Sequence, residues 1–210
     1  MKKLAIIGSG ALGIQVAWHA LSTGEYCIAG FFDDSKSEGS AVGNYQILGA
    51  IDSVESAFEH SVFDCLFIAI GYNHMTVRSE LFQRFYPRIP FATIIHPTSF
   101  VDPSASIGTG SILYPGCIVD MNVSIGNNVL LNLNCTVAHD TSIGNHCFLS
   151  PSVSLAGFVQ IASNVVLGIG SIVIDSIIIS ENIRTGAGAV VTKSIQDKGL
   201  YVGIPAKKIK

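Results

Sequence analysis

Charged side chains are scarce in this sequence, which also contains neither a long apolar run nor, before its last residues, a basic cluster. Lys, Arg, Asp and Glu make up 13% of the 210 residues, against 49% hydrophobic residues. A membrane-spanning helix needs about eighteen consecutive apolar residues, and the densest apolar stretch, residues 172–179, is interrupted by Asp175. The net charge is −3. We therefore expect a protein that binds neither a membrane nor nucleic acid.

Cysteine patterns typical of metal sites and disulfide frameworks are also missing. The five cysteines are odd in number, include no C-x-x-C pair and are not clustered with other zinc ligands. We interpret them as free thiols in a reducing cytoplasm, and we predict no metal site. Near the start, Gly8-Ser9-Gly10 interrupts a short apolar run, which favours a strand over a signal peptide.

What the sequence has in abundance is a six-residue repeat between residues 101 and 196. Every sixth residue in this stretch is aliphatic, with a single exception, and the fifth place of each unit is small or β-branched. The residues at the first place are Val101, Ile107, Leu113, Val119, Ile125, Leu131, Val137, Ile143, Leu149, Leu155, Ile161, Leu167, Val173, Ile179, Thr185 and Val191.

A strict period of six fits neither a helix nor a surface strand. It indicates short strands separated by corners, with the first and fifth places pointing inward. Three units would complete one turn of a triangular prism, whose neighbouring turns pair as parallel strands, and the repeat would give about five turns. Cys117, Cys135 and Cys147 occupy the fifth place and are therefore predicted to be buried. A conventional β-sandwich with coincidental spacing is the alternative.

The first hundred residues carry a different signal. An apolar run at residues 3–7 is followed by Gly8-Ser9-Gly10-Ala11-Leu12-Gly13, a helical pattern to about Leu21, and a second apolar run at 27–32 that ends in Asp33 and Asp34. This order is typical of a nucleotide-binding α/β domain, in which glycines let the backbone approach a pyrophosphate and an acidic residue accepts hydrogen bonds from the ribose or base. A glycine turn that only packs a strand against a helix is the alternative.

The elements that follow complete a small domain. Residues 53–60 and 76–86 are predicted helices, and residues 65–70 and 91–95 are predicted strands. Because ligands bind at the carboxyl ends of parallel strands, we expect Gly8, Asp33 and Gly71 on one rim. We divide the chain into domains at 1–98 and 99–210. The first is too short for a complete dinucleotide fold, which favours a nucleotide-sugar over NAD.

One histidine falls outside the inward pattern of the repeat. His139 and Asp140 occupy the third and fourth places of their unit and so lie at a corner, pointing outward. The site alone allows a solvated histidine at a turn. It also allows a general base, because an imidazole titrates near neutral pH and a neighbouring carboxylate can fix its tautomer.

The repeat, the glycine motif and the closing Gly203-Ile204-Pro205-Ala206-Lys207 together resemble a known family over essentially the whole chain. It is the family of hexapeptide-repeat sugar acetyltransferases of the sialic acid O-acetyltransferase and bacillosamine N-acetyltransferase type. The resemblance implies a Rossmann-like α/β domain followed by a left-handed parallel β-helix, assembled as a homotrimer, with acetyl-CoA as cosubstrate. The left-handed sense comes from the resemblance alone.

The resemblance also implies roles for individual residues. His139 and Asp140 match the catalytic His-acid pair, and Gly157 matches a backbone N–H that faces the acetyl carbonyl oxygen. The positions that match the acetyl-CoA groove are Asn132, Gly157, Gly168, Ile169, Gly186 and Ala187. The positions that match the nucleotide-sugar site are Gly8, Ser9, Gly10, Asp33, Asp34, Lys36, Gly71 and Asn73.

The sequence departs from the family at one position near the acetyl group. Many members carry a second His nine residues after the first, and Phe148 stands there in this chain. Either His146, two residues earlier, substitutes loosely, or acetyl positioning here uses no second His.

The function that these resemblances predict is transfer of acetyl from acetyl-CoA to the amino group of a UDP-linked 4-amino-4,6-dideoxy sugar in bacterial glycan biosynthesis. O-acetylation of sialic acid or a related sugar hydroxyl is the alternative. An NAD-dependent oxidoreductase or nucleotide-sensing module would rest on the glycine motif alone and leave the repeat without a role. A γ-type carbonic anhydrase needs three zinc histidines, and the repeat supplies only His139 and His146.

Overall fold

The computed structural model describes all 210 residues and divides them into two compact units, Met1–Ile94 and Ile95–Lys210. The first is an α/β unit and the second is built almost entirely from short parallel strands. None of the helices combines the length and the apolar character that a membrane-spanning segment requires.

The first unit is a five-stranded sheet of order β3-β4-β2-β1-β5, flanked by helices. Its strands are β1 (Lys2–Ile7), β2 (Tyr26–Phe32), β3 (Ala41–Val42), β4 (Tyr45–Gly49) and β5 (Cys65–Ile68). Its helices are α1 (Ala11–Ser22), α2 (Val54–Glu59) and α3 (Met75–Phe85), with 3₁₀ turns at Ile51–Ser53 and Tyr72–His74. Strands β2, β1 and β5 are parallel, so their carboxyl ends share one rim.

Burial on both faces explains the apolar runs of β1 and β5. All four residues of Cys65–Ile68 are buried, as are the last four of β1, and aromatic side chains such as Phe32 and Phe82 complete this core. The predicted strand at 91–95 is wrong in extent, since only Ile94–Ile95 is a strand and Phe91 forms an isolated bridge with Leu66. Contact with β5 is limited to this bridge, in which the Leu66 N–H donates to the Pro90 carbonyl and the Ala92 N–H donates to the Leu66 carbonyl.

The second unit is a triangular prism with three sheets as its faces, in which all strands are parallel except the last, Lys207–Lys208. Face one contains Phe100–Val101, Ile118–Val119, Thr136–Val137, Ser154–Leu155, Ile172–Val173 and Val190–Val191. Face two contains Ser106–Ile107, Ser124–Ile125, Ser142–Ile143, Gln160–Ile161 and Ile178–Ile179. Face three contains Ile94–Ile95, Ile112–Leu113, Leu130–Leu131, Phe148–Leu149, Val166–Leu167, Ile183–Thr185, Gly199–Val202 and Lys207–Lys208.

The pairing register confirms three six-residue units per turn. Thr136 pairs with Ile118 on one side and Ser154 on the other, a step of eighteen residues each time. The first and fifth places of the units form one continuous core, which includes Leu113, Val137 and Cys135. The fold is a left-handed parallel β-helix following a small α/β domain. All five cysteines are free thiols.

The corners of the prism are built from left-handed backbone. Ten non-glycine residues at the fourth place of their units have φ between 54° and 61°: Asn122, Asn128, Asn134, Asp140, His146, Ser152, Phe158, Asn164, Ser176 and Asn182. Asn and Asp tolerate this conformation better than most residues, which explains why they recur there. We call the corner between faces one and two the first corner, that between faces two and three the second, and that between faces three and one the third.

Candidate active site

His139 and Asp140 lie on the first corner and point outward, as the register of the repeat predicts. Their side chains are 45% and 35% exposed, and His139 Nδ1 lies 2.9 Å from Asp140 Oδ2. A carboxylate can only accept a hydrogen bond, so Nδ1 must carry the proton of the ring. A neutral imidazole in this tautomer presents its lone pair at Nε2, where a base is needed.

A third residue completes this arrangement. Asn122, eighteen residues before Asp140, donates from Nδ2 to Asp140 Oδ1 over 3.1 Å. The hydrogen bond from His139, followed by the one from Asn122, lowers the pKa of Asp140 below its ordinary value. Asp140 is therefore ionised at neutral pH and can stabilise a positive charge on the imidazole.

Gly157 lies one turn after His139 on the same corner, against the imidazole ring. A Cβ on Gly157 would come within 2.8 Å of His139 Cε1 and 2.9 Å of Nε2, so no larger residue fits without moving the ring. The N–H of Gly157 donates no hydrogen bond within the chain. It is therefore free to bind an oxyanion beside the imidazole.

Phe158 contacts the imidazole from another direction. Its ring meets the His139 ring edge to face, with centroids 5.2 Å apart and an interplanar angle of 87°. A phenylalanine with φ of +58° is unusual, because bulky residues rarely adopt left-handed backbone. Neither Phe158 nor Asn122 belongs to the residues predicted from sequence, although stepping by eighteen residues from Asp140 leads to each of them.

The other residues matched to the acetyl-CoA groove lie on the third corner. Gly168 and Gly186 are stacked on successive turns, and a Cβ on Gly168 would lie 2.6 Å from the Gly186 carbonyl carbon. Ile169 and Ala187 follow them and are exposed. Asn132 lies on the same corner two turns earlier, where its Oδ1 accepts a hydrogen bond from the Leu133 N–H.

The structure thus divides the predicted acetyl-transfer residues into two sets. His139, Asp140 and Gly157 lie on the first corner, and the rest lie on the third. Face one separates the two corners within a single chain. One chain alone therefore does not bring the groove glycines to the histidine.

The family's second histidine has no counterpart on an open surface. Phe148 is only 4% exposed. His146 lies on the second corner, is 8% exposed, and its Nδ1 lies 2.9 Å from Asn128 Nδ2. Burial of both side chains favours the interpretation that acetyl positioning here uses no second His.

The residues matched to the nucleotide-sugar site follow the carboxyl ends of neighbouring parallel strands in the first unit. Asp33 accepts hydrogen bonds from Ser9 N and Oγ on one oxygen (2.9 and 2.6 Å) and from Ser35 N and Oγ on the other (2.9 and 2.6 Å). Partial burial alone would raise the pKa of Asp33, but these hydrogen bonds outweigh it and hold that pKa well below its usual range. Asp33 therefore organises the rim as an anion.

The neighbouring acidic and basic residues have separate roles at this rim. Asp34 Oδ1 accepts from the N–H of Ile51 over 2.8 Å, which fixes the start of the following 3₁₀ turn. Lys36 Nζ lies 3.5 Å from the carbonyl oxygen of Ser9 and so brings a positive charge to the glycine turn. Asn73 lies in the 3₁₀ turn after β5 and is exposed.

The glycines at the rim fall into two groups: those that packing or backbone conformation requires, and those that neither requires. Gly8 has φ +98°, and a Cβ on Gly13 would collide with the carbonyl oxygen of Gly8, so packing of α1 on the turn explains both. Gly10 and Gly71 do not have positive φ, and a Cβ added to either would meet no atom within 4 Å. Packing therefore does not explain why these two positions are glycine. Close approach of a ligand to the backbone of the rim explains it better.

Comparison with known proteins gives matches over the whole chain. Residues 3–85 match the family described as the PglD N-terminal domain. No curated protein sequence matches the chain. The acetyltransferase domain of PglB from Neisseria gonorrhoeae FA1090 is 28% identical over 100% of both chains, with a TM-score of 0.91.

Two further solved structures are similar over their full length. One is a histidine variant of the GDP-perosamine N-acetyltransferase from Caulobacter crescentus, solved with CoA and GDP-perosamine. It is 28% identical over 100% of this chain and 98% of its own, with a TM-score of 0.93. WeeI from Acinetobacter baumannii AYE is 24% identical over 100% of both chains, with a TM-score of 0.85, and supports the fold.

Proposed function

We propose that this protein is a hexapeptide-repeat sugar acetyltransferase, which transfers acetyl from acetyl-CoA to the amino group of a nucleotide-linked 4-amino-4,6-dideoxy sugar. UDP is the nucleotide that we predict. The observation that carries the proposal is the outward imidazole of His139, held by Asp140 with Nε2 free beside Gly157. Five free thiols support a reducing cytoplasm as the location.

The reaction that this geometry supports is direct attack on the thioester. The sugar amine forms a bond to the acetyl carbonyl carbon while His139 Nε2 takes a proton from the nitrogen. Asp140 stabilises the imidazolium, and the Gly157 N–H donates to the oxyanion of the tetrahedral intermediate. The C–S bond then breaks, and the proton passes from His139 to the CoA thiolate. An acyl-enzyme on the repeat cysteines is not part of this scheme, because Cys117, Cys135 and Cys147 are fully buried.

A homotrimer is part of the proposal, because the two sets of acetyl-transfer residues lie on different corners. Packing face one of one copy beside a second copy would place the first corner of one chain next to the third corner of its neighbour. Exposed apolar side chains on face one and its two corners support such an interface: Phe100, Ile118, Met121, Leu133, Ile169 and Ile172.

We assign the nucleotide to the rim of the first unit. Gly10 and Gly71 leave the backbone open there, and Lys36 supplies a positive charge close to the glycine turn at the N-terminus of α1. Backbone N–H groups at such a terminus favour a pyrophosphate.

The test is release of CoA thiol with a panel of acceptors: UDP- and TDP-linked 4-amino-4,6-dideoxy sugars, a GDP-linked amino sugar, and free sialic acid. We expect release with a nucleotide amino sugar only, and the active one names the nucleotide. Release with sialic acid alone would replace the proposal by O-acetylation, which the same fold could perform.

The base is tested with His139→Ala. We expect turnover to fall by about 10²–10⁴-fold, the usual contribution of a positioned base, with acetyl-CoA binding largely unchanged. Undiminished turnover in this variant would remove His139 from the mechanism.

A further inference from the structure

We propose that Asn122 is a positioning residue that holds the Asp140 carboxylate and, through it, sets the imidazole of His139 for proton transfer. This proposal deepens the proposed function and rests on it. Asn122 contacts Asp140 but not His139, so its effect must pass through the carboxylate.

Each oxygen of the Asp140 carboxylate has one donor. His139 Nδ1 donates to Oδ2 over 2.9 Å, and Asn122 Nδ2 donates to Oδ1 over 3.1 Å. With both donors present the plane of the carboxylate is fixed. With the histidine alone, the carboxylate could rotate together with the ring, because an exposed pair of this kind holds itself only weakly.

Asn122 is itself anchored from the preceding turn. Its backbone N–H donates to Ser104 Oγ over 2.9 Å, and Ser104 Oγ donates to Asp102 Oδ1 over 2.6 Å. The first corner thus carries a chain of hydrogen bonds that runs from Asp102 through three turns to His139. A side chain fixed at its base gives its amide a defined direction toward Asp140.

The following turn also contacts the imidazole, although the His139 side chain remains 45% exposed. Gly157 lies against the Cε1 and Nε2 edge of the ring, and Phe158 contacts the ring edge to face. A small rotation of the carboxylate would therefore move Nε2 relative to the Gly157 N–H. Proton transfer and oxyanion binding both depend on the distance and orientation between Nε2 and this N–H. A misplacement of about 1 Å can lower a rate by about 10²-fold.

A purely conformational role for Asn122 makes a different prediction. Asn also adopts left-handed backbone on the second corner at Asn164 and Asn182, with φ of 60° and 59°, where none of the predicted acetyl-transfer residues lies. If only the backbone angle mattered, Asn122→Gly would be harmless, since glycine adopts φ of 56° without strain.

The experiment therefore compares Asn122→Gly with the matched control Asn182→Gly. Both keep a left-handed backbone, but only the first removes a donor to Asp140. We expect kcat of Asn122→Gly to fall by about 10-fold with KM for acetyl-CoA unchanged, a smaller loss than removal of the base causes. We expect Asn182→Gly to match the wild type, and melting temperatures to confirm that both variants are folded.

A double-mutant cycle with Asp140→Gly decides whether Asn122 acts through the carboxylate. Glycine suits the φ of 57° at position 140, so this change removes the carboxylate alone. We expect the double variant to be no slower than Asp140→Gly, because the two residues work as one unit. Independent, additive losses would overturn the proposal. If Asn122→Gly does not fold, Asn122→Ser takes its place in the cycle, because Ser152 and Ser176 adopt the same left-handed backbone and serine removes the amide donor without adding a charge beside Asp140.

The outcomes separate this proposal from the proposed function. If His139→Ala retains full turnover, the base assignment fails and the positioning role fails with it. If His139→Ala is inactive and Asn122→Gly equals Asn182→Gly, only the positioning role is wrong.

Discussion

At the scale of single residues, the candidate site depends on position 157 being glycine, which has no Cβ. Gly157 is not required by backbone conformation, since its φ is not positive, and yet a methyl group there would overlap the His139 ring. Ordinary turn chemistry gives no reason for this glycine. Its reason lies on the neighbouring turn, eighteen residues away.

Gly157→Ala is therefore expected to displace the imidazole while leaving the prism folded. We predict a loss of kcat of about 10²-fold, because displacement of the base by about 1 Å has effects of this size. The check is steady-state kinetics together with thermal unfolding. A fall in melting temperature as large as that of a core substitution would point instead to damage of the prism.

The repeat predicts that His139 and Asp140 point outward at a corner, and only the family resemblance marks them as the candidate catalytic pair. Asn122 and Phe158 could not be identified with equal ease, since their contacts depend on the stacking of turns and on side-chain rotamers. The burial of His146 was also not predictable, because a position at a corner says only where the backbone turns.

At the scale of elements, the period of six predicts nearly every strand of the prism, because each short strand needs one inward aliphatic residue. The first unit was harder to predict. The apolar pattern does not predict the β3–β4 hairpin, although Gly43-Asn44 joins its strands, with Gly43 at φ +59°. From the sequence, the Asp33 carboxylate after β2 is predicted to accept hydrogen bonds from a ribose or base. The structure shows that both Asp33 oxygens are occupied by Ser9 and Ser35.

The hydrogen bonds to the Asp33 carboxylate predict how the stability of the protein depends on pH. The native pKa of Asp33 lies below the value of about 3.9 in unfolded chains, so its ionised form stabilises the fold above about pH 4. The stabilisation is lost as pH falls through the native pKa. We expect Asp33→Asn to melt at a lower temperature than the wild type at pH 7, and the gap to narrow between about pH 4 and pH 2.

The measurement is thermal unfolding of both proteins across this range. Ser35→Ala, which removes one of the four donors, should show the same trend with a smaller gap. A gap that stays constant down to pH 2 would mean that the charge of Asp33 does not stabilise the rim.

At the scale of the whole molecule, face one carries exposed apolar side chains, and the two sets of proposed acetyl-transfer residues lie along its two edges. Ile172 is 45% exposed on face one, whereas Ile178 is 49% exposed on face two. These two isoleucines have the same chemistry on different faces, so they form a matched pair for testing the trimer.

We predict that Ile172→Lys dissociates the proposed homotrimer and abolishes most activity, because a charge buried in the proposed apolar interface has no partner there. Ile178→Lys should leave both unchanged. Light scattering after size-exclusion chromatography gives the mass, and thiol release gives the activity. A wild-type protein that is monomeric and fully active would refute the assembly.

The constant step of eighteen residues also sets a unit of length. Each turn advances the prism by about 4.8 Å, the spacing of neighbouring strands. Strand pairing therefore fixes the axial distance between His139 and the third-corner glycines Gly168 and Gly186, and the repeat can lengthen there only by whole turns. For the acetyl-CoA groove proposed above, the prism thus acts as a measure of length: one turn inserted between His139 and these glycines would keep every strand paired and still move the thioester about 4.8 Å away from the base.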